Sequence, residues 1–179
     1  MTNQERGHVD DIELVEAKRR LNDADGPDER ARAYLTLGCL SEQREHWDRA
    51  VSYYSDLLAE GSQVEIFQYF GNNNLGYSLV QLGRHDEAEA YCLAAIELNL
   101  DQHNAHKNLG LVRQGQKRWL EAAFCFAEAY RLCPQDPRAW HLLSTVLTTQ
   151  PGLLKASRDL RMLVTNLSLH IASNENLPQ

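Results

Sequence analysis

Residues 72–91 read NNNLGYSLVQLGRHDEAEAY, a helix-periodic apolar run interrupted by Gly76 and Gly83. A glycine inside a helix costs about 0.5–1 kcal/mol relative to alanine. Gly76 therefore needs a reason, and the reason is periodic. Gly110 stands thirty-four residues on. At the same offset Asn74, Leu75, Arg84, Glu87, Ala88, Ala95 and Leu98 recur as Asn108, Leu109, Arg118, Glu121, Ala122, Ala129 and Leu132. Gly38, Gly76 and Gly110 are each followed twelve residues later by an alanine (Ala50, Ala88, Ala122), and Ser144 with Ala156 repeats the spacing. A small residue in each of two successive helices lets antiparallel helices cross closely. Larger columns then fill the surroundings: Tyr54, Cys92, Phe126 and Leu160 from second helices, Leu37, Leu75, Leu109 and Leu143 from first helices.

A period of 34 with W-x2-L-G-x2-Y, then A-x3-F, then P defines one class of helical repeat. The pattern stands here as YLTLGCLS with AVSYY, NNNLGYSL with AEAYC, HKNLGLVR with AAFCF and Pro134, and WHLLSTVL with ASRDL. The chain thus resembles the tetratricopeptide repeat (TPR) family. That resemblance implies an all-α fold, a right-handed α-solenoid of four helix pairs with an N-terminal capping helix. The expected division is a tail and capping helix over 1–30 and repeats over 31–64, 69–102, 103–136 and 137–170. A flexible tail is expected over 171–179.

Local signals refine this reading. Asp136-Pro137 gives an N-cap followed by proline at the first helical position. Ser62 with Glu65 reads as a capping box, and Asp101 as the cap of a helix beginning near Gln102. Gly38 and Gly76 are thirty-eight residues apart, four more than the period, so a helix starting near Gln63 should be one turn longer than its relatives. Asp10–Asn22 reads as a helix with apolar Ile12, Leu14, Val15, Ala17 and Leu21. The last helix should run unbroken from Leu153 to about Ala172, with Ala156, Leu160, Leu163, Val164, Leu167 and Ile171 inward and Met162 and Leu169 outward.

Composition narrows function. The chain has 179 residues, 43% apolar and 24% charged, with a formal net charge of −7. An acidic balance without a basic stripe disfavours nucleic acid and anionic membranes as partners. The polar N-terminus does not read as a secretory leader, and no run reaches the length of a membrane helix, so a cytoplasmic location is expected. Cys39, Cys92, Cys125 and Cys133 form no C-x-x-C pair and read as reduced thiols. His103 and His106 could share a metal with Asp101, but no fourth ligand follows; no metal site and no cofactor are expected. No nucleophile–base arrangement or phosphate loop can be assembled, so the chain is not expected to be an enzyme.

The resemblance places function on a concave face lined by the first helix of each pair. Residues expected there are Arg32, Asn73, Asn74, Tyr77, Asn104, Lys107, Asn108, Leu111, Arg138 and His141, with Leu35, Thr36, Cys39, Glu42, Phe70, Leu142 and Thr145 beside them. Asn74 and Asn108 occupy equivalent positions, and a side-chain amide both donates to and accepts from a peptide backbone. They resemble the asparagine ladder of peptide-binding members. The carboxylate clamp of heat-shock co-chaperones is incomplete here. Arg32, Lys107 and Arg138 against Glu42 nevertheless suit a ligand of acidic character. The expected function is a non-catalytic adaptor that binds a peptide or helix of another protein. Two alternatives are a dedicated chaperone for a secreted or assembling client and a self-assembling scaffold. A homo-oligomer through the C-terminal helix is a further possibility.

Overall fold

Three short segments each place a backbone in the left-handed region, seven residues after each repeat glycine: Glu45 (φ 57°), Gly83 (φ 72°) and Lys117 (φ 61°). Each reverses the chain between the two helices of a pair. The amide three positions after the helix reaches back to the same carbonyl register: His46 N–H to Ser41 O (2.9 Å), Arg84 N–H to Leu79 O (2.9 Å), and Arg118 N–H to Arg113 O (2.8 Å). This is the Schellman closure, which satisfies carbonyls that the helix end leaves open.

The structure is a computed structural model. It describes the backbone of residues 3–175 and the side chains of 12–169. All regular structure among the described residues is helical. The chain forms two units, residues 1–99 and 100–179. The first holds α1 (Asn3–Asn22), α2 (Pro27–Gln43), α3 (Trp47–Ala59), α4 (Glu65–Gln81) and α5 (His85–Leu98). The second holds α6 (His103–Gly115), α7 (Trp119–Leu132), α8 (Pro137–Thr149), α9 (Leu153–Ala156) and α10 (Arg158–Glu175).

In the first unit each helix packs on the next in sequence, and α2 also touches α4. The glycine columns sit at the crossings. A β-carbon on Gly76 would lie 2.7 Å from Cys92 Sγ, and one on Gly38 would strike the Tyr54 ring. Ala50, Ala88, Tyr54 and Cys92 are fully buried. α1 covers α2 through Leu14, Ala17 and Leu21, packed against Leu37, Leu40 and Tyr53. α4 has 17 residues, one turn more than the 13 of α6 and of α8, as the wider glycine spacing leads one to expect, but no longer than the 17 of α2.

In the second unit α6 pairs with α7, and α7 contacts both α8 and α10. Its core gathers Phe126, Tyr130, Leu143, Val146, Leu160 and Leu167. Asp136 caps α8, its carboxylate accepting from Arg138 N–H, with Pro137 at the first helical position.

Several local expectations are corrected. The last helix is not continuous: it breaks at Ser157 into α9 and α10. Seven residues after Ser144 stands Pro151, whose ring fixes φ near −65° and excludes the left-handed turn used in the other three pairs. The chain therefore re-enters by the short helix α9, and Ser157 Oγ accepts from Leu160 N–H (3.2 Å) to start α10. Ala156 is exposed as a result, so the Ser144/Ala156 pair does not extend the close-packed column. Ser62 and Glu65 form no capping box. α4 begins at Glu65 behind Val64, and Ser62 Oγ accepts from Val64 N–H (3.2 Å) while donating to Asp28 (2.7 Å). Gln102, not Asp101, precedes α6. The helix of the expected tail continues to Glu175; residues 176–179 lie outside the described residues.

Candidate protein-interaction faces

In the first unit α2 and α4 bring the predicted residues to one polar network. Tyr54 is fully buried, and its hydroxyl donates to Cys39 Sγ (3.5 Å) and accepts from Asn74 Nδ2 (3.4 Å). Asn74 Oδ1 accepts from Asn73 Nδ2 (2.8 Å). Ser78 Oγ donates to Glu42 (3.1 Å). Burial raises the Glu42 carboxyl above its ordinary range, partly offset by the Ser78 and Tyr54 hydroxyls. Burial also raises the Cys39 thiol and pushes the Tyr54 phenol far up.

Asn74 thus spends both halves of its amide inside the protein. A peptide backbone there competes with existing bonds. Arg32 is exposed and stacks over the Phe67 ring, 5.8 Å from its centroid, within cation–π range. Tyr77 meets Trp47 edge to face at 5.9 Å. The apolar start of α4 leaves Ile66 50% and Phe70 37% exposed beside this network.

In the second unit the predicted residues gather more tightly. Asn104 Oδ1 accepts from Lys107 Nζ (2.8 Å) and from Arg138 Nη2 (3.4 Å), so two cations converge on one oxygen. Asp136, read from sequence only as a helix cap, is the counter-ion. It takes Arg138 through Nε (2.9 Å) and Nη2 (2.7 Å) and meets His103 Nε2 at 3.2 Å. The Arg138 guanidinium, with the Arg138 backbone amide, holds the Asp136 carboxyl well below the usual range. Lys107 is only 7% exposed; burial, with Arg138 nearby, lowers its ammonium to about 8. Asn108 is 3% exposed, Leu111 is half-buried, and His141 is exposed. Asn108 and Asn74, equivalent in sequence, therefore differ in setting: one is enclosed and the other is half-buried.

Other expectations concern absences or pairings. The four cysteines are free thiols. His106 Nε2 meets the Leu100 carbonyl at 2.8 Å, while His103 faces Asp136, so the two histidines do not converge. No group of residues able to hold a metal ion occurs among the described residues. No described helix is long and apolar enough to cross a membrane.

A family model, "Tetratricopeptide repeat", matches residues 71–102. Those residues carry the second half of α4 and all of α5, including the Gly76–Cys92 contact. Protein O-mannosyl-transferase Tmtc3 of Drosophila melanogaster is 35% identical over 63 residues. That stretch is 35% of this chain, which spans only 7% of the length of this curated relative. Among solved structures, the second TPR domain of human RPAP3, in complex with the HSP70 peptide SGPTIEEVD, superposes with a TM-score of 0.60 at 22% identity. The match covers 68% of this chain and 98% of that one. YrrB, described as a TPR protein with an unusual peptide-binding site, gives 0.63 at 20% identity over 94% and 86% of the two chains. Residues 71–102 thus match one tetratricopeptide repeat, and the fold is that of solved tetratricopeptide repeat structures.

Proposed function

We propose that the chain is a non-catalytic adaptor that binds a peptide or helix of another protein along faces lined by its first helices. The preferred ligand segment carries a carboxylate. The observation that supports this most is the convergence of Lys107 and Arg138 on the Asn104 side-chain oxygen. A single carboxylate, Asp136, already serves Arg138 and His103 there. A second carboxylate supplied by a ligand would relieve the remaining positive charge in a partly desolvated setting, where charge-assisted hydrogen bonds are strong. The human RPAP3 domain, of the same fold, is described with a peptide ending in EEVD, which makes an acidic segment a reasonable first probe.

On the α2–α4 face, Arg32 over Phe67 with Ile66 and Phe70 alongside suits a cation contact next to an apolar one. The asparagines act there through rearrangement of the Asn73–Asn74–Tyr54 bonds. A cytoplasmic location goes with this reading.

The test is a library of peptides with free C-terminal carboxylates, screened by fluorescence anisotropy. Selected peptides should bind less well at higher salt. They should lose affinity about tenfold on Lys107→Ala or Arg138→Ala, as expected when one partner of a charge-assisted contact worth about 1.5–3 kcal/mol is removed. Equal affinity across parent and both variants would rule out this face.

A further inference from the structure

Where α2 ends and the chain turns into α3, beside α1, the first unit has a hollow of about 350 Å³. Four basic side chains line it: Lys18 of α1, Arg44 and His46 of the turn, and Arg49 of α3. Leu14 and Tyr53 add apolar surface, and Ser52 adds a hydroxyl. Ser41 completes the wall, but its hydroxyl is already engaged, donating to the Leu37 carbonyl (2.8 Å). Among the described residues no carboxylate lines this hollow. That is against the trend of a chain with 25 acidic and 18 basic residues.

The acids of the neighbourhood lie elsewhere. Glu45 and Asp48 line a separate hollow with Trp47 and Leu82, which His46 and Arg49 also border, and the Asp48 charge acts on Arg84. Glu13 and Glu16 line another with Thr36 and Leu40, and Arg19 and Arg20 hold Glu16 there at 2.9 Å each. The Asp56 charge, further along α3, acts on Tyr34. Neither Lys18 nor Arg49 makes an ion pair with a described residue, and both are exposed to an incoming ligand. Like charges gathered around one hollow repel one another, and an anion bound among them offsets that repulsion.

We propose that this hollow binds a small-molecule phosphate monoester, its phosphate among Lys18, Arg44, His46 and Arg49 and its organic part against Leu14 and Tyr53. At neutral pH a phosphate monoester carries a charge of about −1.5 to −2 and three strong acceptor oxygens. A carboxylate brings one charge and two oxygens, which leaves two of the three Lys and Arg cations unmatched. Guanidinium forks, supplied twice here, pair with phosphate oxygens. The volume falls at the lower end of small-molecule sites, about 300–1,000 Å³, which suits a phosphate with a small organic group rather than a length of chain. This inference does not depend on the peptide reading, since none of these residues belongs to the α2–α4 or α6–α8 faces.

Isothermal titration calorimetry of the full chain with phenyl phosphate tests it, with inorganic phosphate and benzoate as controls for the organic part and the head group. Phenyl phosphate should bind more tightly than either control. Lys18→Ala and Arg49→Ala should each weaken it about tenfold, as removal of one charge-assisted contact does. Lys155→Ala removes an exposed cation from α9 and should leave the affinity unchanged. All three substitutions are at exposed positions, and circular dichroism checks that each variant stays folded. Absence of phenyl phosphate binding, or equal affinity in the parent, Lys18→Ala and Arg49→Ala, would overturn the inference. Benzoate or inorganic phosphate binding as tightly as phenyl phosphate would overturn the monoester assignment. Binding of a phosphoserine peptide, lost in Arg49→Ala, without binding of phenyl phosphate would overturn the small-molecule reading and mark a phosphorylated protein segment as the ligand.

Discussion

Adding one methyl group at Gly110 tests the repeat packing directly. A β-carbon built there lies 2.6 Å from Phe126 Cδ1 and nearer still to Cε1. Phe126 is fully buried among Tyr130, Leu143 and Val146, so its ring has little room to move. Forcing a methyl group into such a core costs about 1–3 kcal/mol, and an enclosed ring belongs toward the upper part of that range. Removing a mid-helix glycine returns about 1 kcal/mol of helix propensity. Gly110→Ala should therefore destabilise by a net ~1–2 kcal/mol. For a chain of this size that lowers Tm by roughly 2–8 °C. Thermal and urea denaturation followed by circular dichroism measure it. Phe126→Leu in the same chain should recover part of the loss, with a coupling of about 1 kcal/mol in the double-mutant cycle. Gly152→Ala is the control: nothing lies within 4 Å of its added carbon and its φ is −73°, so it should leave stability unchanged within about 0.5 kcal/mol. If Gly110→Ala proved as stable as the parent, or the cycle showed no coupling, the close-crossing account of the glycine column would be wrong.

Other outcomes follow from the same geometry. Glu45→Gly and Lys117→Gly should each stabilise by a few tenths to about 1 kcal/mol in urea titrations, because a left-handed backbone costs a side chain about 1–2 kcal/mol. Gly83→Ala should destabilise by a similar amount. Asp136→Asn keeps a capping oxygen but removes the charge that pairs with Arg138, and should cost up to about 1 kcal/mol at neutral pH. The native carboxyl sits below its ordinary value of 3.8, so its stabilisation is present above that pH and lost as pH falls below it. Parent and variant should therefore converge in acid. Lys107 has the opposite sign. Its native value of about 8 lies below the ordinary 10.5, so the unfolded chain binds the extra proton between those values. Stability of the parent relative to Lys107→Met should rise with pH across that window, measured by denaturation at matched ionic strength.

The fold was legible because its determinants are local and periodic. Gly38, Gly76 and Gly110 mark the crossings, and the wider first spacing goes with an α4 one turn longer than α6 and α8, though not than α2. The left-handed turns at Glu45 and Lys117 were hidden, since Schellman hydrogen bonds hold residues there that turn chemistry does not favour. The break at Ser157 had a signal in Pro151, which stands where the other pairs turn left-handed. The faces were legible as a set of residues but not as a state. The burial of Lys107 sets it near Arg138 and Asp136, about thirty residues away in sequence. The bonds that Asn74 makes to Tyr54 and Asn73 depend on a buried hydroxyl twenty residues away. Asp136 carried a cap signature that concealed its second part as counter-ion to Arg138 and His103.

The most direct measurement of the central claim is a two-dimensional amide NMR titration of the labelled protein with a selected acidic peptide. The account predicts that shifts concentrate on α2 with α4 or on α6 with α8, including the side-chain amide of Asn104, and that they diminish in Lys107→Ala. Shifts confined to α3, α5 and α7, or unaffected by that substitution, would contradict it.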